Sequence, residues 1–242
     1  MKPIALLVAR QPSAIADDEF HAIARMSGLD EADLHRIQLS AVEPEDIRLD
    51  DFAAVIVTGS PYNFTINDSQ KSPGQLLTES NLAHVNAQIL DRDFPYFGIC
   101  YGLEAIGIAA GTELTGEWRE EISPPWVELT EAATQDKIFS QVPTSFHNYT
   151  GHSEALANVP DGFTLLASSE TCPVQAVRYG DNVYGVQFHP EIDWDSLQLR
   201  INRYAGKYYD AGEAQRIYDN CKGRNVSAGA TLLKTFVETY RG

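Results

Sequence analysis

Through the first 110 residues, short apolar runs of strand length alternate with segments whose apolar side chains recur at helical spacing. Ile4 to Ala9 is an unbroken apolar run of the kind a buried strand needs. From Ala14 to Gly28, Phe20, Ile23 and Ala24 fall on one helical face, and Gly28 supplies the stop. His35 to Val42 reads as a second strand. Ala53 to Val57 is apolar and partly β-branched until it meets Thr58-Gly59-Ser60-Pro61, the pattern of a buried parallel strand running into a loop. Residues 62–80 are polar and irregular around a Ser72-Pro73-Gly74 turn, and Asn81 to Leu90 is expected to be helical. Phe94 to Ile99 is another buried strand, followed at once by a helix from Tyr101 to Ala110 that stops at Gly111. This alternation predicts parallel βαβ units: an α/β fold with a doubly wound, mostly parallel sheet and helices on both faces.

The second half changes character. Trp126 to Leu129, Thr164 to Ala167, Gln175 to Tyr179 and Val183 to Phe188 are short strand candidates, and Tyr179-Gly180-Asp181-Asn182 is a hairpin turn between the last two. A small antiparallel hairpin region is therefore expected. From Trp194 onward the pattern is helical to the end, with Ser227 placed to cap a last helix whose Leu232, Leu233, Phe236, Val237 and Tyr240 form one apolar stripe. Residues 1–194 read as the main domain and residues 195–242 as a helical C-terminal extension packed on it.

Charge sharpens that division. Lys plus Arg number 18 and Asp plus Glu 34, a formal net charge of −16. Such acidity disfavours nucleic acid and anionic membranes, whose phosphates attract cationic side chains. Residues 195–242 nonetheless carry eight basic and five acidic side chains, so a +3 tail follows a −19 body. Charge complementarity between them would fix the docking register. Three cysteines, Cys100, Cys172 and Cys221, with no CxxC pair, argue against a disulfide framework and for a reducing compartment. The apolar run at the N-terminus stops at Arg10, too short for a secretory signal, and no run approaches a membrane span of about 18 residues. A cytoplasmic location is expected.

The chemistry concentrates at Phe97-Gly98-Ile99-Cys100-Tyr101-Gly102, where a buried strand ends in a Gly-x-Cys-x-Gly turn and a helix begins. A lone cysteine at a strand end is most often inert, but this frame is the thiol form of a nucleophile elbow. The turn forces strained backbone at the cysteine, and the glycines remove side chains that would clash. At the helix N-terminus the exposed thiol is expected to favour thiolate. Its base is expected at another strand end. Val183 to Phe188 delivers His189-Pro190-Glu191, in which Glu191 can accept from the imidazole and fix its tautomer.

Three pieces in this order, Thr58-Gly59-Ser60-Pro61, Gly98-Ile99-Cys100-Tyr101-Gly102 and Gln187-Phe188-His189-Pro190-Glu191, resemble the class I glutamine amidotransferases. The Ser169 to Gln175 segment is similar to the stand-alone subgroup likened to the amidotransferase part of GMP synthase. The resemblance implies the flavodoxin-like fold of that family and a catalytic triad of Cys100, His189 and Glu191. Cys100 would attack the side-chain amide of glutamine, His189 would move its proton to departing ammonia, and water would hydrolyse the thioester. It also implies an oxyanion hole from the backbone N–H groups of Gly59 and Tyr101. Ser60, Glu104, Gly151 and His152 are placed on the substrate side, with Glu154 beside them. Many members carry Gln where this chain has Glu104, and a carboxylate cannot donate a hydrogen bond unless protonated.

His147 and His152, five apart, are a poor ligand pair without Cys or a further His nearby, so no metal is expected. No GxxxxGK[ST] loop occurs, and no cofactor is expected. The implied function is cleavage of glutamine or a related γ-glutamyl amide, with ammonia passed to a synthetase on another chain. The alternatives are a self-sufficient γ-glutamyl hydrolase and a catalytically silent binding or regulatory relative.

Overall fold

A computed structural model describes residues 1–206 and 210–241, and among them one nine-stranded sheet organises the chain. Its first strands are β1 (Ile4–Val8), β2 (Leu34–Gln38), β3 (Ala54–Val57) and β4 (Tyr96–Ile99). They are joined through α1 (Ala14–Ser27) and α2 (Pro73–Arg92), and α3 (Tyr101–Ala109) leaves the end of β4. Next come β5 (Leu114–Thr115), β6 (Glu120–Ser123), β7 (Trp126–Leu129) and the short α4 (Glu131–Thr134). β8 (Ser145–His147), β9 (Thr150–His152), β10 (Ala155–Leu156), β11 (Phe163–Ser168), β12 (Ala176–Tyr179) and β13 (Val183–Val186) follow. Helices α5 (Trp194–Tyr204), α6 (Ala214–Cys221) and α7 (Ser227–Arg241) close the order.

The sheet runs β2-β1-β3-β4-β13-β12-β11-β7-β8. It is parallel from β2 to β13 and antiparallel from β13 to β8. The parallel part has the doubly wound arrangement expected, and the predicted hairpin β12–β13 is one step of a longer antiparallel extension. β5–β10 and β6–β9 form separate two-stranded ribbons. Alternation of side chains divides the core by face. Ile4, Leu6 and Val8 join the cluster that includes Ile23 of α1 and Leu232 and Phe236 of α7, while Ala5 and Leu7 join Leu82, Val85 and Ile106 of α2 and α3.

Two local expectations are corrected. Ser72-Pro73-Gly74 is the start of α2 rather than a free turn: the Ser72 side chain accepts from Gln75 N at 3.1 Å, and Pro73 occupies the first helical position, where its missing N–H costs nothing. The helix is polar enough to read as loop because it buries Gln75, Thr78, Asn81 and Asn86. At α7, Ser227 is not the cap; Asn225 Oδ1 accepts from Ser227 N at 3.1 Å.

The C-terminal segment docks through apolar and charged contacts together. Leu232, Leu233, Phe236 and Val237 are buried, with Phe236 edge-on to Phe97 at 5.3 Å. Arg200 reaches Asp18 at 2.7 Å, Arg216 reaches Glu121 at 3.1 Å, and Arg241 pairs with Asp33. The helical C-terminal segment expected from Trp194 onward is present, divided among the described residues into α5, α6 and α7, and the part of that expectation at residues 207–209 and 242 lies outside the described residues. No helix among the described residues is long and apolar enough to cross a membrane.

In an open parallel sheet, ligands bind beyond the carboxyl ends of the strands where the order reverses. Here that edge gathers Arg10 after β1, Gly59 and Ser60 after β3, Cys100 after β4, and Gln187 and His189 after β13.

Candidate active site

Cys100 has φ 49° and ψ −100°, left-handed backbone that a non-glycine residue rarely adopts. The turn is held by Cys100 N donating to Val186 O at 2.7 Å and Tyr96 Oη donating to Gly102 O at 2.7 Å. Gly98 is required by space, and Gly102 is closely hemmed in. A Cβ on Gly98 would lie 2.6 Å from the Gly102 carbonyl carbon, and one on Gly102 would lie 3.0 Å from Val57 O. The elbow is thus as the Gly-x-Cys-x-Gly frame predicts.

Its thiol is not. Cys100 is only 5% exposed, and burial pushes the thiol well above its ordinary range, with the carboxyls of Glu104 and Glu191 adding to the effect. The Tyr101 N–H and Arg10 favour the thiolate but do not prevail. The expected exposed thiolate is corrected to a buried, protonated thiol at rest, because loss of water outweighs the helix N-terminus.

His189 lies on the loop after β13, fixed by its N donating to Tyr149 O at 2.8 Å and by Asn148 Nδ2 donating to its carbonyl at 2.8 Å. Its Nδ1 meets Glu191 Oε1 at 2.8 Å, which leaves Nε2 for the cavity. Burial alone would raise Glu191, but His189 and Arg200 hold it below the usual carboxylate range. A Cβ on Gly59 would lie 2.8 Å from His189 Cε1, so the loop glycine packs against the imidazole.

Cys100 and His189 line one cavity of about 450 Å³, together with Ser60, Glu104, Gly151, His152 and Glu154. Gly59 and Tyr101 do not line it with side chains. The Tyr101 ring turns away to stack on Phe64 at 4.1 Å, while its backbone N–H reaches the Cys100 sulfur. Ser60 Oγ donates to Ala9 O and accepts from Tyr62 N, so its hydroxyl serves the loop. Glu154 accepts from the backbone N–H groups of Phe64 and Thr65, at 2.8 and 3.1 Å, and from the Thr65 hydroxyl.

Gln187 of the third motif and three charged residues that local sequence did not single out, Glu19, Arg10 and Arg200, complete the site. Gln187 Nε2 lies 3.7 Å from Cys100 Sγ and donates to Glu104 Oε1 at 3.3 Å. Behind the His189–Glu191 pair, Glu19 sits between Arg10 at 3.1 Å and Arg200 at 3.9 Å. The ion pair with Glu19 and the Tyr204 hydroxyl keeps Arg10 firmly charged despite burial. For Glu19, Arg10 and Arg200 the signal in the sequence was charge beside apolar runs, which surface residues share.

The distal wall brings Glu120, His152 and Cys172 within 4.8 Å of one another, so a cysteine does lie near His152. Their bonding is internal. His152 Nε2 meets Glu120 Oε2 at 2.8 Å and Nδ1 meets Glu154 O at 2.8 Å, so both ring nitrogens face acceptors. Glu120 further accepts from Gln175 Nε2 at 2.9 Å and from the hydroxyls of Thr150 and Thr171, and His152, Thr171 and Gln175 hold it below the ordinary carboxyl range despite burial. Both ring nitrogens are engaged within the wall, so His152 and Glu120 form one hydrogen-bonded network with Gln175, Thr150 and Thr171. His147 is elsewhere, against Pro124 O at 2.8 Å.

The profile of a family described as glutamine amidotransferase class-I matches residues 20–201. The chain is 30% identical over 158 residues to a GMP synthase (glutamine-hydrolyzing) of Thermosipho melanesiensis, covering 65% of this chain and 28% of that one. It is 35% identical over 104 residues to one subunit of the GMP synthase (glutamine-hydrolyzing) of Methanocaldococcus jannaschii, covering 43% of this chain and 54% of that one. The matches thus span between about a quarter and a half of these relatives. A solved glutamine amidotransferase from Thermotoga maritima superposes with TM-score 0.74 at 20% identity, over 99% of this chain and 98% of that one, and so shares the fold.

Proposed function

Because the chain belongs to the class I glutamine amidotransferase family, we propose that it hydrolyses the side-chain amide of glutamine through a Cys100 thioester and supplies ammonia to a separate synthetase. The observation that carries this reading is one cavity that holds Cys100 on a strained elbow together with a His189 whose far nitrogen is fixed by Glu191. Substrate enters while the thiol is protonated. His189 Nε2 takes the proton as sulfur attacks the amide carbon, then delivers it to the departing nitrogen. Glu191, already ionised, stabilises the imidazolium that forms in between. The N–H groups of Gly59 and Tyr101 are assigned to the tetrahedral oxyanion; one such donor is worth about 2.7–4 kcal/mol. Water then cleaves the thioester, with His189 acting as base.

The partner reading draws support from the Methanocaldococcus jannaschii relative, which by its name is one part of a glutamine-hydrolysing GMP synthase. A self-sufficient γ-glutamyl hydrolase is the second reading, and the cavity favours it. At about 450 Å³, with Ile122, Ile192, Leu197 and Ile217 in its lining, the space exceeds what free glutamine fills and lies in the range of roughly 300–1,000 Å³ typical of larger ligands.

Ammonia release from glutamine by purified protein tests the chemistry. Cys100→Ala is expected to lower turnover at least about 10³-fold, and no turnover of any γ-glutamyl amide would overturn the assignment. A nucleotide-dependent synthetase recovered on immobilised protein selects delivery to a partner; faster turnover of bulky γ-glutamyl amides than of glutamine selects the hydrolase.

A further inference from the structure

Glu104 lies in the first turn of α3 at the cavity wall, 3% exposed. The groups that face it are unusual for a carboxylate. Its own helix offers Cys100 and the Tyr101 phenol, the loop after β9 offers Glu154, the loop before β12 offers Cys172, and the end of β13 offers the neutral amide of Gln187. No cationic side chain among the described residues pairs with it. Its side chain accepts one hydrogen bond among the described residues, from Gln187 Nε2 to Oε1. A buried carboxyl with a like-charged neighbour and no counter-ion holds its proton, and burial, against the Gln187 bond and aided by Glu154, pushes Glu104 up to about 8.

We propose that Glu104 works as a neutral carboxylic acid, with Oε1 held by Gln187 and the Oε2 hydroxyl donating a hydrogen bond to an oxygen of the ligand bound against Cys100. A carboxylic acid in this state presents one acceptor and one donor, the same pair that a glutamine side chain presents. The departure from Gln at this position therefore keeps the hydrogen-bonding pattern below the acid's titration and loses it above. In its neutral form Glu104 also ceases to oppose thiolate formation at Cys100. Above that point the donor becomes an anion, repelling ligand oxygens and the thiolate alike. Glu104 is a specificity-determining residue with a built-in basic limit. The proposal rests on the cavity being the ligand site of the amide-cleaving reaction proposed above.

Two measurements separate its failure from failure of that reading. Infrared difference spectroscopy of the ligand-free protein, wild type minus Glu104→Gln, should contain the carbonyl stretch of a protonated carboxylic acid at pH 7 that disappears as pH rises through about 8. Absence of that band overturns the proposal whether or not glutamine is cleaved; the band without any turnover leaves the protonated acid standing and removes the glutaminase reading. In the pH dependence of kcat/KM, Glu104→Gln should carry the basic limb about one pH unit or more higher than wild type. Coincident profiles overturn the donor role.

Discussion

A methyl group at residue 59 has nowhere to go except into the imidazole of His189, since the nearest imidazole atom, Cε1, would be 2.8 Å away. Gly59→Ala is expected to lower kcat about 10²-fold, the cost of displacing a reacting group by about 1 Å, while the melting temperature changes little because the ring can shift toward the cavity. Circular dichroism melts and an ammonia assay read the two effects separately. Glu104 has a second signature, in stability. Its folded acid is raised, so folding takes up a proton between the ordinary carboxyl range and about 8. Stability therefore falls as pH rises through that window and levels off above it. Glu104→Gln should remove the slope, with a gain on the order of 1–3 kcal/mol at pH 8, or several degrees in Tm, and little difference at the acid end.

At the scale of elements, legibility followed locality. The elbow at Cys100 and the strand that delivers His189 were readable because each is fixed by residues within a few positions: glycines that clear space, a β-branched run, and a proline that ends pairing. The protonation of Glu104 was not, because its amide partner is 83 residues away and its burial comes from the packing of several loops. Arg10 and Arg200 converge on Glu19 from opposite ends of the chain for the same reason. β8, β9 and β10 are two or three residues long, too short to show a period. Ser72 misled because a capping serine before proline has the composition of a turn. Packing between elements also yields a prediction. A Cβ on Gly229 of α7 would lie 2.4 Å from Asn148 Oδ1 and 2.8 Å from Pro190 Cα, and the latter is backbone. Gly229→Ala should cost about 1–3 kcal/mol in chemical denaturation and lower activity more than that loss of folded fraction explains, since Asn148 and Pro190 both hold the His189 loop.

For the whole molecule, the uneven charge has a structural counterpart. Arg200, Arg216 and Arg241, all in the C-terminal segment, each meet acidic residues of the body, while Leu232, Leu233 and Phe236 enter the same core as the central strands. Only the Arg216–Glu121 pair is fully at the surface, where such pairs contribute little, while Arg200 is buried and Arg241 largely covered; the apolar stripe is expected to carry the docking and the charges to set its register. Removing residues 227–241 uncovers that core; the shortened chain is expected to be insoluble or to lose cooperative melting, and a soluble truncated protein with unchanged Tm would contradict this. The close packing of Gly229 on the His189 loop also ties the C-terminal helix to the cavity from behind. α7 follows every cavity-lining residue in chain order and contributes none of the lining, yet it packs directly behind the His189 loop. The wall that carries His189 therefore rests on a helix far along the chain from it, and a strain introduced in α7 reaches His189 through Asn148 and Pro190 rather than through the cavity itself.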